Sequence, residues 1–447
     1  MKVVATVSGL CAVLVAFPPA SALAQPGPSL PPPPTSPAEP ANPENPENRE
    51  NPRPSAAPEP AEVAPRSPAN SVTKTPTEPA PATSGVDRAA RTVDSILKFY
   101  GFVRLDVIVD SATFNNPQSP ITVARLQPGV PDPGAEFSMH PRLSRLGVDL
   151  QRVHASPEVD VDGKIEIDFQ NGGRESRAIP RMRHAYVQVS WREYRLLFGQ
   201  TWQTVSRLVP MANADTLMWG AGNTGDRSPQ LRLSRVAPLG DGQFSLEAAA
   251  QSIGTIDGVG QAGLDFGALP AAQARAALKL PLWTAEPFQV AVGVHYAREK
   301  IVEKVAGRSD FEQLGGFGEL VVPFFAKTGV RGEAFLGKNL SDLRGGIVQG
   351  INPVRDLEIH ARGGWAELYS DPVPWLGLGL GAGFDDPDDR DLENGQATLN
   401  RAAWAVTHFR LLGKGRIGVE YLVWVTDYKA EPRRLSNRVD THLQWEL

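Results

Sequence analysis

Charged side chains alternate with apolar residues along many short runs of this sequence. In one run, Ile165, Ile167 and Phe169 share one face while Glu166 and Asp168 share the other. Arginine binds carboxylate and phosphate groups through paired hydrogen bonds, and rings of charged side chains set the selectivity of pores. The alternative is that such charges only solvate an interior and pair with each other. The residues expected to line a channel and contact its solute are Arg104, Arg145, Asp149, Glu166, Asp168, Arg232, Arg362 and Arg410.

A long polar stretch at 203–228 separates two of these runs, and its apolar residues show no regular spacing. Loops of this length inside a compact domain are usually either functional or disordered. We interpret the stretch as a loop that narrows a channel, with glycines that let its backbone bend. The alternative is an ordinary external loop. The residues expected to form the constriction are Arg207, Asp215, Trp219, Asp226 and Arg227.

No catalytic or cofactor-binding pattern accompanies these residues. The 7 histidines are scattered without metal-ligand spacing, and no H-E-x-x-H, G-x-S-x-G or P-loop motif is present. The phrase "GLGLGAG" (377–383) lacks the G-x-G-x-x-G spacing, so we interpret it as a flexible outer loop. The formal net charge of −5 argues against nucleic-acid binding. We therefore expect no enzymatic activity, no cofactor and no metal site.

The N-terminus predicts an exported protein. Residues 1–24 combine a positive start, an apolar run and small residues before Gln25, as a cleaved signal peptide does. The single cysteine, Cys11, lies inside this signal, so we expect the mature chain to contain no thiol or disulfide.

The proline-rich segment 25–85 has no aromatic residue. A segment of this composition cannot bury enough apolar surface to offset its ordering entropy, so we expect a disordered periplasmic linker. Attachment to cell-wall material is the alternative role. Residues 86–98 are interpreted as a short helix.

From residue 99 to residue 447 the apolar residues follow a period of two, which indicates strands. Short turns and long loops alternate between the strands, and aromatic residues gather near strand ends. This is the pattern of an all-β, transmembrane, antiparallel β-barrel of about 16 strands, wide enough to leave an aqueous channel. A soluble β-sandwich or propeller is the alternative. The expected strands are 99–110, 142–153, 163–171, 181–191, 194–202, 229–236, 242–252, 271–280, 286–298, 310–324, 327–338, 342–352, 355–369, 396–412, 415–428 and 436–447.

Several phrases resemble one family of outer-membrane channels. They are "FSMHPRLSRLGVDL", "GKIEIDFQNGG", "RMRHAYVQVSW", "LLFGQTWQTVS" and "WGAGNTGDRSPQLRLSR", and together they resemble the DcaP-like porins of Gram-negative bacteria. The phosphate-selective O/P-type porins are the second choice. This sequence departs from the family in having a proline-rich tract where a coiled coil usually precedes the barrel, and in ending on Leu447 rather than phenylalanine.

The resemblance implies a trimeric porin that prefers small anionic, dicarboxylate-like solutes, with its third long loop folded into the channel. It also implies contact with outer-membrane lipid and lipopolysaccharide. We therefore expect a barrel at 99–447 that lets small hydrophilic anions diffuse passively through an arginine-lined channel. A structural tether between the outer membrane and the cell wall, through the proline-rich segment, is the alternative function.

Overall fold

The computed structural model describes residues 96–116, 120–126, 129–170, 178–212, 217–253, 269–300 and 307–447. The expected signal peptide, the proline-rich linker and most of the expected helix at 86–98 lie outside these residues. Leu97 and Lys98, at the end of that expected helix, belong to the first strand instead. Among the described residues, no helix is long and apolar enough to cross a membrane.

Strands make up most of the described chain. They are β1 Leu97–Asp110, β2 Glu136–His140, β3 Arg145–Ser156, β4 Val159–Asp168, β5 Arg181–Trp191, β6 Tyr194–Trp202, β7 Arg227–Leu239, β8 Gly242–Gln251, β9 Ala271–Leu280, β10 Phe288–Lys300, β11 Asp310–Phe325, β12 Thr328–Lys338, β13 Ile351–Asn352, β14 Leu357–Glu358, β15 His360–Val373, β16 Leu376–Pro387, β17 Ala397–Leu411, β18 Gly415–Tyr428 and β19 Glu431–Glu446. Short 3₁₀ turns lie at Ser341–Leu343, Gly346–Val348 and Asp389–Asp391.

The main sheet closes on itself as an antiparallel barrel. One edge of β1 pairs with β19, and its other edge pairs with β2 and β3, which lie end to end. The sheet contains 17 strands, and β2 and β3 share one position, so the wall is sixteen strands across. The strands β13 and β14 form a separate small hairpin. The predicted sixteen-stranded barrel is confirmed.

Apolar side chains lie on the outer face of the wall and polar side chains on the inner face, which is the reverse of a water-soluble protein. On β8, Phe244 and Leu246 are exposed on the outside, whereas Ser245 and Glu247 are buried on the inside. A membrane-spanning barrel needs this distribution, because its outer face contacts lipid and its interior is polar. Aromatic pairs mark the end of the barrel with short turns, where Trp191 stacks on Tyr194 with 5.7 Å between ring centroids.

One predicted strand is wrong, and two strands of the main sheet were missed, the short β2 and the wall strand β16. Residues 342–352 form 3₁₀ turns and the short strand β13 rather than a wall strand, while 376–387, part of a predicted loop, forms β16. The phrase "GLGLGAG" is therefore part of the wall, with Leu378 and Leu380 outside and glycines inside. The exchange places the long loop 339–359 after β12 and a two-residue turn after β15, so long and short connections alternate at this point as well.

Candidate functional site

Between β6 and β7, the described residues 203–212 and 217–226 lie inside the barrel, and we call this segment the inner loop. Its first half hydrogen-bonds to carboxylates of the wall. Ser206 Oγ donates to Glu333 Oε2 at 2.7 Å and the Leu208 backbone N–H donates to Glu333 Oε1 at 2.6 Å. The Met211 backbone N–H donates to Glu367 on β15 at 2.8 Å. The loop thus crosses from β6 to β12 and β15.

The second half of the inner loop touches the wall backbone through glycines. Asn400 on β17 donates from Nδ2 to the Gly220 carbonyl oxygen at 2.7 Å. Gly220 and Gly222 have positive φ angles of 74° and 103°. A Cβ atom at Gly222 would lie 2.1 Å from the Gly364 carbonyl oxygen. Glycine is needed at 222 because both the conformation and the close approach exclude a side chain.

The inward glycines of β16 form the surface on which the inner loop and Trp404 pack. A Cβ atom at Gly379 would lie 3.0 Å from Met211 Sδ, and one at Gly381 would lie 2.4 Å from the Trp404 ring. A Cβ atom at Gly383 would lie 2.1 Å from the Ala221 carbonyl oxygen. The alternation of leucine and glycine in β16 therefore combines a lipid-facing surface with a docking surface.

Replacing Gly383 with valine is expected to push the inner loop off β16. Overpacking of this kind typically costs about 1–3 kcal/mol, so the thermal transition should fall and the conductance should rise. Gly318 is the matched control, because a Cβ atom there meets nothing within 4 Å. Circular-dichroism melting and single-channel recording of G383V and G318V check this. Equal melting temperatures in the two variants would contradict the docking of the loop on β16.

Arg344, from the loop after β12, holds the base of the inner loop. Its guanidinium lies 4.6 Å from the Trp219 ring centroid and 2.6 Å from Asp226 Oδ2. Burial acts to raise the pKa of Asp226, but the nearby Arg344 and Arg227 guanidinium groups outweigh it and hold the pKa below its ordinary value. The pair therefore stays charged at neutral pH and weakens only as pH falls through this lowered pKa. Arg227 also stacks on Trp202, 4.3 Å from its ring centroid.

Of the charged residues expected at the constriction, Arg207 contacts the wall, whereas Asp215 cannot be assessed. Arg207 reaches Glu247 on β8, with Nη1 2.9 Å from Oε1, so it contacts the wall near the start of the inner loop. Asp215 lies outside the described residues.

A cavity of about 450 Å³ separates the inner loop from the wall formed by β1, β3, β5, β18 and β19. We call it the arginine cavity. The loop side is apolar and includes Val209, Pro210, Met211, Leu217 and Trp219. The opposite side carries six arginines, which are Arg104, Arg145, Arg181, Arg183, Arg227 and Arg416.

The carboxylates that pair with these arginines lie behind them. Arg181 Nη2 is 2.7 Å from Asp168, and the two side chains are 35% and 0% exposed. Arg145 Nε is 3.4 Å from Glu166, and these side chains are 27% and 5% exposed. Arg183 bonds both carboxylates, at 2.7 Å each. The face presented to the cavity is therefore mainly guanidinium, and Glu446 adds a carboxylate to the lining.

The other predicted channel residues lie at different places. Asp149 pairs with Lys164 at 3.2 Å, Arg232 lies 3.9 Å from Glu247, and Arg410 pairs with Asp371 at 2.9 Å. Arg362 is on the outer face of β15, with a side chain 74% exposed and 2.9 Å from Asp386. The expectation that Arg362 faces the channel is therefore corrected: Ala361 and Gly363 occupy the inward positions beside it, and the charge reaches water at the outer rim.

Sequence reasoning missed three arginines of the cavity as site residues. Arg181 and Arg183 alternate with the exposed Met182 in "RMRH", which was a readable signal for a pair facing inward. Arg416 follows a tight turn and gave no comparable signal. It donates from Nη2 to Gln444 at 2.8 Å. Two of the wall groups that fix the inner loop, Glu367 and Asn400, were missed as well, because their partners are far away in the sequence.

Comparisons with known structures agree with this architecture. The outer membrane channel DcaP of Acinetobacter baumannii superposes with a TM-score of 0.63 at 19% identity, covering 78% of this chain and 97% of that chain. The fold is that of a DcaP-like porin. An anion-selective porin from Comamonas acidovorans has a TM-score of 0.51 at 11% identity, covering 78% of this chain and 99% of that one. OmpF of Salmonella typhi has a TM-score of 0.55 at 11% identity, covering 78% and 97%. No protein-family model and no curated protein matches the sequence.

Proposed function

We propose that this protein is an outer-membrane porin through which small hydrophilic organic anions diffuse passively. The observation that carries the proposal is the arginine cavity, where six guanidinium groups face an apolar edge of the inner loop. Arginines that keep hydrogen-bond donors directed at the lumen replace part of an anion's hydration shell. Buried carboxylates behind them limit the net charge, so the solute is attracted without being trapped.

The apolar edge of the cavity favours organic anions over simple inorganic ones. Met211 and Trp219 lie across the cavity from the arginines. A small dicarboxylate has carboxylates that suit guanidinium groups and a hydrocarbon stem that suits this edge. The anion selectivity of the Comamonas porin is consistent with the proposal, although its low identity makes it a parallel in fold alone.

The same proposal places the barrel in the outer membrane. Its exposed apolar face would contact lipid, with lipopolysaccharide around the rim that carries the long loops. The N-terminal segment would extend into the periplasm, and three copies would assemble as a trimer.

Single-channel recording in planar lipid bilayers tests the proposal. In a KCl gradient, wild-type protein should give a reversal potential of the sign expected for anion preference. A unit charge about 8 Å away in water contributes about 0.5 kcal/mol, so R181Q should lower the anion-to-cation permeability ratio roughly threefold. R362Q removes the same charge from the outer face and is the matched control.

Each outcome bears on one part of the proposal. Absence of channels above the detergent background would reject the porin. Equal reversal potentials in R181Q and R362Q would reject the arginine cavity as the source of selectivity while leaving the channel intact.

A further inference from the structure

A group of buried histidines and carboxylates lies where the first and last strands of the barrel meet. Asp106 on β1 is opposite His442 on β19 in the strand register, and Asp440 lies two residues before His442. One possible ligand atom from each of these three residues lies within 4.8 Å of the others, and all three side chains are fully buried. We call these residues, with His408 and Glu420, the seam cluster.

His408 and Glu420 complete the cluster from the neighbouring strands. Glu420 Oε1 lies 3.8 Å from His442 Nδ1 and 4.0 Å from His408 Nε2. The His408 and His442 ring centroids are 5.5 Å apart. Two imidazoles and three carboxylates from four adjacent strands therefore converge on one point of the inner wall.

His442 differs from the buried His295 in its hydrogen bonding. His295 is equally buried, and its ring nitrogens lie 3.3 Å from Gln273 and 3.1 Å from Gln313. Among the residues that the structure describes, neither ring nitrogen of His442 has a hydrogen-bond partner, although its side chain is 0% exposed. Buried polar groups normally have partners, so a bare imidazole inside a carboxylate cluster points to a ligand.

The shape and charge of the wall fit a cation. The His442 ring lies over Gly418, where any Cβ atom would be 2.0 Å from Cε1, so the glycine leaves room for the imidazole. This part of the wall holds four fully buried carboxylates against two fully buried guanidiniums, Arg104 and Arg438; the carboxylates are Asp106, Asp110, Glu420 and Asp440. Arg104 Nε donates to Asp106 at 2.8 Å, and metal-ligating carboxylates are commonly hydrogen-bonded in this way.

We propose that the seam cluster binds one Zn²⁺ ion through His442, Asp440 and Asp106, with His408 or Glu420 supplying the fourth ligand. Imidazole and carboxylate together suit zinc, whereas magnesium and calcium prefer oxygen ligands alone. Ligand atoms of a tetrahedral zinc site lie about 3.4 Å apart, so the ligand set has to contract by at most about 1.4 Å. His408 also lines the arginine cavity, so the ion would lie next to the lumen. Because it bridges β1 and β19, it would stabilise the closure of the barrel.

Metal analysis and thermal unfolding of the full-length protein in detergent test the site. After chelation and dialysis against ZnCl₂, wild type should retain one zinc per chain and unfold at a higher temperature than the chelated protein. H442Q should bind zinc roughly tenfold or more weakly and show no such increase. H295Q, which changes a buried histidine outside the cluster, should behave as wild type does.

Three results would overturn the proposal. One is a wild-type zinc content no higher than that of H442Q, and another is an increase in unfolding temperature that survives in H442Q. The third is an equal increase with MgCl₂, since imidazole would then not be a ligand. If H442Q does not assemble, D440N, which removes one of the three proposed core ligands, takes its place with the same criteria.

Discussion

Replacing residues 207–222 of the inner loop with a short glycine–serine linker is expected to raise the single-channel conductance roughly twofold or more, since a sixteen-stranded wall leaves an open aqueous channel when nothing fills it. The deletion is geometrically simple. Thr224 Oγ1 donates to Ser206 Oγ at 2.7 Å, so the two ends of the removed segment already lie side by side. The base of the loop also remains fixed, because the Gly225 N–H donates to the Leu343 carbonyl oxygen at 2.7 Å.

The deletion should change conductance more than the sign of selectivity. The arginines of the wall stay in place when the apolar edge of the cavity is removed, so anions should still be preferred at low salt. That preference should weaken as added salt shortens the screening length to a few ångströms. Conductance and reversal potential are measured on the same channels, and heat-modified migration in gels controls for folding. An unchanged conductance would show that the inner loop does not limit the pore.

The barrel could be predicted because the alternation of apolar and polar residues is visible within each single strand. Each strand must present apolar residues to lipid at every second position, and this period is visible in single runs such as 164–170. The predicted number of wall strands is right, although one strand was exchanged for another. Strand β16 was missed because its inward positions are glycines. Those glycines accommodate the inner loop, a partner more than 150 residues away in the sequence.

Arg362 was predicted on the wrong face because the inward positions beside it are small, and Ala361 packs in a buried cluster with Leu340 and Leu343 from the loop after β12. Where the inner loop packs, the inside of the wall is small or apolar, with Trp365 and Trp404 buried against Met218 and Ala221. A rule that places polar residues inside and apolar residues outside fails on this part of the wall. It works on β3, β4 and β5, where the wall faces the arginine cavity.

The seam cluster depends on register, which sequence spacing cannot show. Asp106 and His442 are 336 positions apart, yet they are directly opposite each other because β1 pairs with β19. The expectation of no metal site rested on the lack of local histidine spacing. In a closed barrel the first and last strands are neighbours, so ligands at the two ends of the domain can meet.

Inverting the charge of Arg145 and Arg181 is expected to convert the channel from anion preference to cation preference. These side chains are the more exposed ones in the pairs with Glu166 and Asp168, at 27% and 35%. Replacing both with glutamate changes the charge at the cavity by four units. At about 0.5 kcal/mol per unit charge near 8 Å in water, four units give about 2 kcal/mol, so the permeability ratio should change roughly thirtyfold.

The control for R145E/R181E makes the same change of charge on the outer surface. Arg362 and Arg390 line an external groove, with side chains 74% and 87% exposed, so R362E/R390E alters the net charge equally without touching the lumen. Only R145E/R181E should reverse the sign of the reversal potential. The difference in reversal potential between the two double variants should shrink at high salt, because the lumen is hydrated and its charges are screened. If both double variants shifted the reversal potential equally, selectivity would follow the overall charge of the protein. The arginine cavity would then have no special part in choosing the solute.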